Sequence, residues 1–545
     1  MTLARKNDLV CAALAAASGL LLWSVYAPRH ETMNLLVALT PLLVVARVAR
    51  PKRSALWFFA GGFLFWTLTL SWMPAIVKNN GPWPLVAMGW LGLAAWCSAH
   101  FALFGWLDAR LWRRVGDRAV PRLFALLGEA VLWAGCEWLR GTLFTGFGWN
   151  GLGLPVPDLL RAFALPARLG GVYLLGALVV LVSGTFASLL LRVAGPVWRL
   201  PFPRNRWSRP AETVLPLLLV WGVMALSEPD WRAYESAGEA GVPVRVALVQ
   251  RNAPCCFRAG AAREDPREAF GPLLEMASAA KPDLVALAES AFAEFGGDVA
   301  RPRALDAAAW MLAKAGAGAL VAGGDWTSDG KTRNAAALFA TNAPTPQIYA
   351  KQHLVPFGEF IPLDKWITPL QKLSPVGVSL HPGEPKLLDL TVVREDGSAA
   401  TVKVAPLICF EDVVPALARR AAAAGAQMIV LITNDSWFSD SCEAEQHAAH
   451  TVLRAIETGL PVARVGNSGV TGFVTGLGRV EWLKAGGTRP LVDARGWISG
   501  TVLARPPAPT PYARFGDRPL LALFALAALV ACAPWRRNAP PEDAA

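Results

Sequence analysis

The sequence predicts two architectures in one chain, a polytopic α-helical membrane domain of about eight spans and an α/β domain. Of the 545 residues, 54% are hydrophobic and 23 are tryptophan, which is unusual for a soluble protein. Long uncharged runs fill positions 8–227 and 520–533, whereas positions 244–505 have the mixed composition of an aqueous domain. We therefore predict seven membrane helices in 1–232, the α/β domain in 243–505, and the last helix with a tail in 515–545.

Eight apolar stretches are candidates for the spans. A helix needs about 20 apolar residues to cross a hydrocarbon core of about 30 Å. The stretches are 8–26, 34–47, 55–76, 83–107, 121–139, 168–192, 213–227 and 519–534. The second and the seventh are short, so a re-entrant segment is an alternative to a full span at these two places. The first is too long for a removable signal peptide and lacks its cleavage site, so we interpret it as an anchor.

The distribution of basic residues predicts the orientation of the chain. Clusters of Lys and Arg occupy every second loop, beginning with Arg5 and Lys6 and ending with Arg536 and Arg537. By the positive-inside rule these loops and both termini are cytoplasmic, which places the α/β domain on the outer side of the membrane. Much of the net charge of +11 belongs to these loops, and no basic and aromatic pattern indicates nucleic-acid binding.

A glycine-rich aromatic loop follows the fifth stretch. Positions 144–153 read FTGFGWNGLG, and Trp and Phe at this density are typical of a membrane interface. The charged Glu129, Glu137 and Arg140 lie in or beside the fifth stretch, where an unpaired charge is costly. They indicate either a contact between helices or the wall of a lipid-accessible cavity, and we favour the helix contact.

The aqueous segment alternates predicted strands with predicted helices, which is typical of an α/β domain. Asp265 before Pro266 predicts a capped helix start, although Gly271 and Pro272 offer an early end for that helix. The predicted strands are 244–250, 283–288, 318–323, 334–340, 347–351, 403–408, 428–433 and 461–465, and the predicted helices are 265–280, 304–314 and 413–426.

Three of these strands deliver a reactive residue, because Glu289, Lys351 and Cys409 each stand at a strand end. Ligand chemistry in α/β sheets collects at the carboxyl ends of strands, so we expect the carboxylate, the ammonium and the thiol to converge. Since a helix is predicted just after Cys409, we also expect its dipole to favour the thiolate. Taken singly, a helix-start acid, a solvated lysine and a buried structural cysteine are the alternatives.

The arrangement resembles the carbon-nitrogen hydrolase (nitrilase) superfamily, whose site is a Glu-Lys-Cys triad at strand ends. The resemblance covers 244–505 and is carried by KQHLVPFGEF at 351–360, ICFED at 408–412 and NDSWF at 434–438. With the spans, EWLRG at 137–141 and the aromatic loop, the whole chain is similar to the apolipoprotein N-acyltransferase family, the membrane-embedded branch of that superfamily. The resemblance implies an αββα sandwich in a multi-pass protein of a bacterial inner membrane, with the catalytic domain on the periplasmic side.

The same resemblance implies residue roles. Glu289 matches the general base, Lys351 the triad lysine that stabilises the thiolate and the oxyanion, and Cys409 the nucleophile; Glu359 matches a second glutamate of the site. The implied reaction moves an acyl chain from a phospholipid to Cys409 as a thioester. The α-amino group of the diacylglyceryl-cysteine of an apolipoprotein then accepts the chain.

Further site residues and partners follow from this resemblance. The predicted substrate contacts are Glu411, Phe410, Trp437, Asn434 and Trp149, with simple packing as the alternative for Trp437. The expected partners are a phospholipid donor and a diacylglyceryl-modified apolipoprotein acceptor. We expect a monomer embedded in the membrane, with no nucleic acid, no cofactor and no metal.

Two local patterns have other interpretations. His447 and His450, with Glu443 on the same potential helix face, have the spacing of metal ligands. We favour a structural helix, because the triad chemistry needs no metal. In an oxidising compartment either residue of the 255–256 cysteine pair is a candidate disulfide partner of Cys442.

Two other functions are alternatives to acyl transfer. A membrane-tethered amidase would use the same triad with water as the acceptor, but a hydrolase needs one anchor rather than eight spans. A transporter or lipid-binding protein with an inactive outer domain would be expected to lack a member of the triad, and all three members are present.

Overall fold

The computed structural model describes residues 3–198, 208–236, 240–255, 265–292, 294–296, 302–362, 379–394, 396–484, 486–487 and 489–534. The α-helices are α1 (Leu3–Val25), α2 (Thr40–Val48), α3 (Pro51–Thr69), α4 (Trp83–Trp112), α5 (Ala119–Thr142), α6 (Val156–Leu159), α7 (Ala167–Trp198), α8 (Ser208–Thr213), α9 (Leu215–Ser236), α10 (Pro266–Ser278), α11 (Pro302–Ala315), α12 (Pro415–Ala423), α13 (Glu443–Thr458), α14 (Pro511–Phe515) and α15 (Arg518–Cys532). The strands are β1 (Val242–Gln250), β2 (Leu284–Leu287), β3 (Glu294–Gly296), β4 (Ala319–Ser328), β5 (Lys331–Ala340), β6 (Gln347–Ala350), β7 (Leu388–Val393), β8 (Ala399–Ile408), β9 (Met428–Thr433), β10 (Val462–Gly466), β11 (Gly472–Val474), β12 (Val480–Trp482) and β13 (Gly496–Ala504).

Among the described residues, five helices are long and apolar enough to cross a membrane, which confirms the polytopic membrane domain and leaves the number of spans approximate. These helices are Asp8–Val25, Pro51–Asn79, Trp83–Trp112, Ala119–Thr142 and Ala167–Ala194. The predicted stretches 34–47 and 519–534 lie on the shorter apolar helices Thr32–Val48 and Arg518–Cys532. The stretch 213–227 lies mainly on α9, whose second half carries Glu228, Asp230 and Arg232.

The charged side chains of α5 make specific contacts. Glu129 pairs with Arg47 of α2 at 3.0 Å, so this carboxylate joins two helices. Glu137 accepts a hydrogen bond from one backbone amide of loop 147–152, and Arg140 donates to two carbonyls of the same loop. Burying a charge is costly unless it is paired or hydrogen-bonded, so these contacts explain how α5 carries the three charges. They also hold the aromatic loop against α5.

The α/β domain consists of two packed sheets. The strand order is β13-β1-β2-β4-β5-β6 in the first sheet, with β3 beside β4, and β12-β11-β10-β9-β8-β7 in the second. The central strands β1, β2 and β4 are parallel, as are β8, β9 and β10. The short strand β3 is parallel to β4, and the other flanking pairs are antiparallel. The central strands β2 (LVAL) and β9 (MIVLIT) are buried at every position, because both of their faces are covered.

Helices cover the outer faces of both sheets. The inner faces meet in an apolar core that includes Val246, Ala286, Ile408 and Val430. The helices α10 and α11 cover the first sheet, and α12 and α13 cover the second. The predicted αββα sandwich is therefore confirmed.

Local predictions differ from the structure at a few places. Gly271 and Pro272 do not end α10, which continues to Ser278 after Asp265 caps its start by accepting from the Arg267 amide. The strands β3, β7, β11, β12 and β13 are not among the predicted strands. The sulfur of Cys442 is a free thiol, and Cys256 lies outside the described residues.

The second layer of helices joins the α/β domain to the membrane domain. The helix α13 packs between the second sheet and α7, and its polar as well as its apolar residues are buried. Membrane-domain residues such as Trp149 and α/β residues such as Val413 and Leu453 therefore share one apolar core. The strand ends of the second sheet consequently lie close to the aromatic loop.

Candidate active site

Three strand ends bring the predicted triad together between the two sheets. Lys351 directly follows β6 and Cys409 directly follows β8, while Glu289 lies two residues beyond β2. Glu289 and Lys351 come from the first sheet and Cys409 from the second. The charges of Glu289 and Lys351 act on the thiol of Cys409. The convergence expected from the strand ends is therefore present in the structure.

Lys351 is held by two glutamates. Its Nζ lies 2.9 Å from Oε1 of Glu359 and 3.8 Å from Oε1 of Glu289. Only 1% of the Lys351 side chain is exposed, so the ammonium depends on these carboxylates rather than on water. The other oxygen of Glu359 accepts from the Val355 amide at 2.9 Å, which fixes the loop that follows Lys351.

Asn334 joins the two glutamates, and the sequence does not predict it as a site residue. Its Nδ2 donates to Oε1 of Glu289 at 2.6 Å and to Oε1 of Glu359 at 2.7 Å. Its backbone carbonyl accepts from the Lys351 amide at 2.8 Å. Because β5 is antiparallel to β6, the amino-terminal part of β5 lies at the carboxyl end of β6. A polar residue just before the apolar run 335–339 was the available signal.

The surroundings shift the pKa values of Glu289 and Glu359 in opposite directions. Burial raises the pKa of Glu289, and Lys351 opposes this rise while Glu359 adds to it. Burial also raises the pKa of Glu359, but Lys351 and the hydrogen bond from Asn334 outweigh this effect, so the pKa is lowered. Burial lowers the pKa of Lys351, but Glu359 and Glu289 outweigh it and raise the pKa. Lys351 and Glu359 thus form an ion pair, and Glu289 is the carboxylate suited to take up a proton.

Cys409 differs from the sequence-based expectation. It opens a short 3-10 turn, Cys409–Val413, and α12 begins only at Pro415. Burial raises the pKa of the Cys409 thiol well above its usual range; Glu289 adds to the rise and Lys351 opposes it. The expectation of a thiolate stabilised by a helix dipole is therefore wrong, and the thiol needs a base before it can attack.

Glu411 is buried behind this turn and is surrounded by protein donors. Its Oε2 accepts from the Ile408 amide and from the Tyr349 hydroxyl, each at 2.8 Å. Its Oε1 accepts from the amides of 352–353 at 2.7 and 3.2 Å. The carboxylate therefore ties the Cys409 turn to the loop after β6. With four donors on its two oxygens, it presents no free oxygen to a substrate.

Aromatic rings lie beside the nucleophile turn. Phe410 stacks on Trp149 with centroids 6.2 Å apart and planes at 2°, and on Phe147 at 6.1 Å and 16°. The His353 ring stacks on Phe410 at 5.9 Å. Trp149 is only 2% exposed, whereas Phe410 is half-buried. Of these two predicted substrate contacts, Phe410 keeps the more accessible ring.

Asn434 and Trp437 lie in the turn after β9. Asn434 Oδ1 accepts from the Ser436 hydroxyl at 2.7 Å and from Asn467 Nδ2 at 3.0 Å. The backbone carbonyl of Trp437 accepts from Asn79 of the membrane domain at 2.9 Å. Both predicted contacts are half-buried, and they lie in a turn that touches the membrane domain.

A cluster of ionised groups lies behind the Cys409 turn. His447 lies 2.9 Å from Asp412 through Nε2 and 3.0 Å from Asp435 through Nδ1. The Arg464 guanidinium contacts the same two carboxylates at 3.1 and 3.4 Å. Burial lowers the pKa of His447, but Asp412 and Asp435 outweigh it and raise the pKa to about 10. The charges of His447 and Arg464 therefore compensate those of Asp412 and Asp435 behind the Cys409 turn.

This cluster also contains the residues weighed as metal ligands. Ligand atoms of Asp435, Glu443 and His447 lie within 4.8 Å of one another, so these three could hold a metal ion by distance. His450 instead packs its ring on Trp149 at 5.3 Å. Since protein cations already compensate the aspartates, the arrangement favours the structural interpretation.

Comparisons with known proteins cover both parts of the chain. The family model described as apolipoprotein N-acyltransferase N-terminal domain matches residues 18–185, and the carbon-nitrogen hydrolase model matches residues 245–493. An apolipoprotein N-acyltransferase of Nitrosomonas europaea is 30% identical over 94% of this chain and 95% of the relative. One of Geobacter metallireducens is 29% identical over 96% and 95%. The chain is also similar to the crystal structure of an amidase from Nesterenkonia sp., with 17% identity and a TM-score of 0.34 over 51% of this chain and 95% of that chain.

Proposed function

Because the chain belongs to the apolipoprotein N-acyltransferase family, we propose that it transfers an acyl chain from a phospholipid to the N-terminal amine of a diacylglyceryl-modified apolipoprotein through a thioester on Cys409. The observation that carries the proposal is the buried Lys351 between Glu289 and Glu359, with its charge acting on the Cys409 thiol. This arrangement supplies a base, a cation and a nucleophile at one point.

The first half-reaction acylates the enzyme. Glu289 takes the proton of the Cys409 thiol, and the thiolate attacks the carbonyl carbon of the phospholipid ester. Lys351 stabilises the resulting oxyanion, an interaction worth about 3 kcal/mol at comparable sites. When the intermediate collapses, the carbon–oxygen bond of the ester breaks, and the departing alkoxide of the lysophospholipid takes the proton from Glu289.

The second half-reaction transfers the acyl chain. The amine of the acceptor attacks the thioester carbonyl and loses a proton to Glu289, while Lys351 again stabilises the oxyanion. The carbon–sulfur bond then breaks, and the thiolate of Cys409 recovers the proton. A thioester is more reactive toward an amine than the original oxygen ester, so the intermediate favours transfer. The lysophospholipid leaves the site before the acceptor enters it, which is a ping-pong sequence.

We propose that both lipid substrates reach the site from the membrane. The half-buried ring of Phe410 lies beside Cys409 and stacks on the aromatic loop of the membrane domain. Apolar and aromatic surface of this kind suits acyl chains. We propose that Phe410 and Trp437 contact acyl chains, that Asn434 contacts a polar group of a substrate, and that Glu411 and Trp149 act by positioning their neighbours.

Orientation and assembly form part of the proposal. The basic loops support cytoplasmic termini and a catalytic domain on the periplasmic side of a bacterial inner membrane. We also propose that the protein acts as a monomer.

The test measures the complete reaction. Wild-type protein, Cys409→Ser and the control Cys532→Ser are incubated in detergent with phospholipid and a diacylglyceryl-cysteine peptide, and N-acylated peptide is quantified by mass spectrometry. Cys532 is exposed at the end of α15, so its variant is expected to keep wild-type activity. Cys409→Ser is expected to lose about 1,000-fold or more of the activity, because the nucleophile is removed.

Two results would contradict the proposal. Full transfer by Cys409→Ser would exclude Cys409 as the nucleophile. Release of free fatty acid without any acylated peptide would instead indicate an amidase-like or hydrolytic enzyme that uses water as the acceptor.

A further inference from the structure

Gln446 of α13 is a buried side-chain amide whose hydrogen bonds lead mainly to the membrane domain. Only 3% of the residue is exposed. Its Oε1 accepts from three side chains, Trp149 at 2.8 Å, Trp72 at 3.1 Å and Asn150 at 3.1 Å. Its Nε2 donates to the carbonyls of Ala27 at 2.9 Å and Thr69 at 3.3 Å, and to Cys442 Sγ at 3.5 Å.

These partners come from separate parts of the membrane domain. Ala27 follows α1, Thr69 ends α3, Trp72 lies between α3 and α4, and positions 149–150 belong to the aromatic loop. Leaving a buried polar group without its partners costs about 1–3 kcal/mol of folding free energy. The hydrogen bonds of Gln446 are therefore coupled, because a shift of one partner disturbs the bonds to the others. One side chain of the α/β domain therefore holds three segments of the membrane domain in a defined arrangement: the end of α1, the end of α3 with the turn after it, and the aromatic loop.

Two short paths lead from Gln446 to the nucleophile. The next residue, His447, lies 3.3 Å from the backbone carbonyl of Cys409 through its Nε2. On the other side, Trp149 is held by Gln446 and stacks on Phe410, the residue after Cys409. The nucleophile turn is thus enclosed between α13 and the aromatic loop, and Gln446 joins these two.

We propose that Gln446 is a positioning residue for acylation: by tying the aromatic loop to α13 it sets the Cys409 turn against Lys351 and Glu289. The inference rests on the proposed role of Cys409 as the nucleophile. A purely docking role would affect only the stability of the folded protein. A positioning role also affects the rate at which the folded protein forms its thioester, because a displacement of about 1 Å costs about 100-fold in rate.

A matched pair of substitutions separates the two roles. Gln446→Met removes every hydrogen bond of the amide at similar volume. The control is Gln250→Met in β1, since Gln250 is also buried. Among the described residues, its amide donates to the carbonyls of Leu491 and Ala494 and accepts from the Thr471 hydroxyl, all within the α/β domain. Thermal unfolding measures the stability of both variants, and intact mass spectrometry follows thioester formation with phospholipid alone at several phospholipid concentrations.

Gln446→Met is expected to form the thioester about 100-fold more slowly than wild type, with a phospholipid KM within about twofold. Gln250→Met is expected to stay within about threefold of wild type at a comparable loss of thermal stability. Equal rates for the two variants would overturn the inference. If the wild type itself formed no thioester, the proposed function would fail instead, so the two failures are distinguishable.

A second variant keeps the inference falsifiable if Gln446→Met does not fold. Trp149→Phe keeps an aromatic ring beside Phe410, although a smaller one, and removes the Nε1 donor to Gln446. It is expected to slow acylation about tenfold without lowering thermal stability by more than a few degrees. Where Gln446→Met folds, adding Trp149→Phe to it is expected to slow acylation no further, because the bond is already absent. Wild-type acylation by Trp149→Phe, or additive losses in the double variant, would overturn the inference.

Discussion

Glu289 and Glu359 share one lysine, yet their surroundings assign them different tasks. Glu359 lies 2.9 Å from Lys351 and takes the ion pair, while Glu289 lies at 3.8 Å and keeps a raised pKa. A general base works best when its pKa is near the working pH, so the raised pKa suits the role proposed for Glu289. Asn334 donates a hydrogen bond to each glutamate and thereby affects the pKa of both.

Replacing Asn334 by leucine should change the pKa of Glu289. The hydrogen bond from Asn334 lowers the pKa of Glu289, so its removal raises that pKa further. Since the base acts only when ionised, the acidic limb of the pH profile of kcat/KM for acylation moves to higher pH, and the rate falls roughly tenfold. The control is Asn342→Leu on the exposed turn after β5.

The pH profile of acylation measures this effect. A limb that stays in place, or moves to lower pH, would contradict the role given to Asn334. An equal loss in Asn342→Leu would show that the effect is not local.

At the residue scale, the sequence predicts the groups that react better than the groups that hold them. Glu289, Lys351 and Cys409 stand at strand ends and match the motifs of a family, so they can be found by pattern. Asn334 opens an antiparallel strand, and its partners become neighbours only when the sheet forms. The thiol pKa was predicted wrongly for two reasons: Cys409 opens a 3-10 turn rather than an α-helix, and burial, which depends on the whole fold, raises the pKa.

At the scale of elements, the turns after β2 and β8 each contain a residue in an uncommon backbone conformation, Ser290 beside the base and Cys409 itself. Cys409 has φ of 53° and Ser290 has φ of 60°, both in the left-handed region. Such conformations cost about 1–3 kcal/mol each and persist only when the surroundings enforce them. Glu411 fixes one turn by accepting from Ile408, and Gly323 of β4 lies directly against the other.

Gly323→Ala should move Glu289. A Cβ at position 323 would lie 2.6 Å from the Cα of Glu289 and 3.0 Å from the Ser290 amide nitrogen, so backbone must shift. Acylation is expected to fall about 100-fold, because the base leaves its place. Gly318→Ala at the start of the same strand meets its nearest atom at 3.5 Å and is expected to keep wild-type activity. Acylation rates of the two purified variants check this, and a fully active Gly323→Ala would contradict it.

The His447 cluster should make stability depend on pH. The folded pKa of about 10 lies above the unfolded value of about 6.5, so the folded state binds the extra proton between these values. The stabilisation is complete below about pH 6.5 and is lost as pH rises through about 10, at up to about 1.4 kcal/mol per pH unit. His447→Gln lacks this contribution, so the stability difference from wild type is expected to narrow as pH rises.

Thermal unfolding of both proteins between pH 6 and pH 9 checks the sign. A difference that is constant over this range, or that widens with pH, would show that His447 is neutral in the folded protein.

Some strands can be predicted from sequence patterns alone, and others cannot. Central strands such as β2 and β9 are apolar throughout and are predicted correctly, because burial on both faces imposes that pattern. The short strands β11 and β12 have three residues each, too few for a period to emerge. The strand β13 comes from the end of the domain to pair with β1, and nothing local predicts that return.

At the scale of the whole molecule, α13 explains how two domains make one site. Its buried faces meet the second sheet and α7, so the nucleophile turn and the aromatic loop are parts of one packed core. Composition separates the apolar and aqueous parts of the sequence and predicts both. It cannot predict that Gln446, a polar residue on a helix of mixed composition, lies between them. The number of spans is likewise approximate, because short apolar helices such as α15 are ambiguous by length.

The orientation of the molecule in the membrane can be measured with cysteines. In a background in which the eight native cysteines are replaced by serine, Ala399→Cys at the exposed start of β8 and Gly116→Cys in the exposed loop after α4 are compared. A maleimide that does not cross the inner membrane is expected to label position 399 in cells with a permeable outer membrane. Position 116 should react only after the inner membrane is opened, because the basic loops are cytoplasmic. The reverse pattern would contradict the orientation.

The most direct test of a thioester on Cys409 is the intact mass of the purified protein after incubation with phospholipid alone, beside Cys409→Ala. We expect one added acyl chain on the wild type, removed by hydroxylamine, and none on the variant, because the thioester needs the Cys409 sulfur. A folded, reduced wild type without an adduct, or an equal adduct on Cys409→Ala, would contradict the central claim that Cys409 carries the acyl chain.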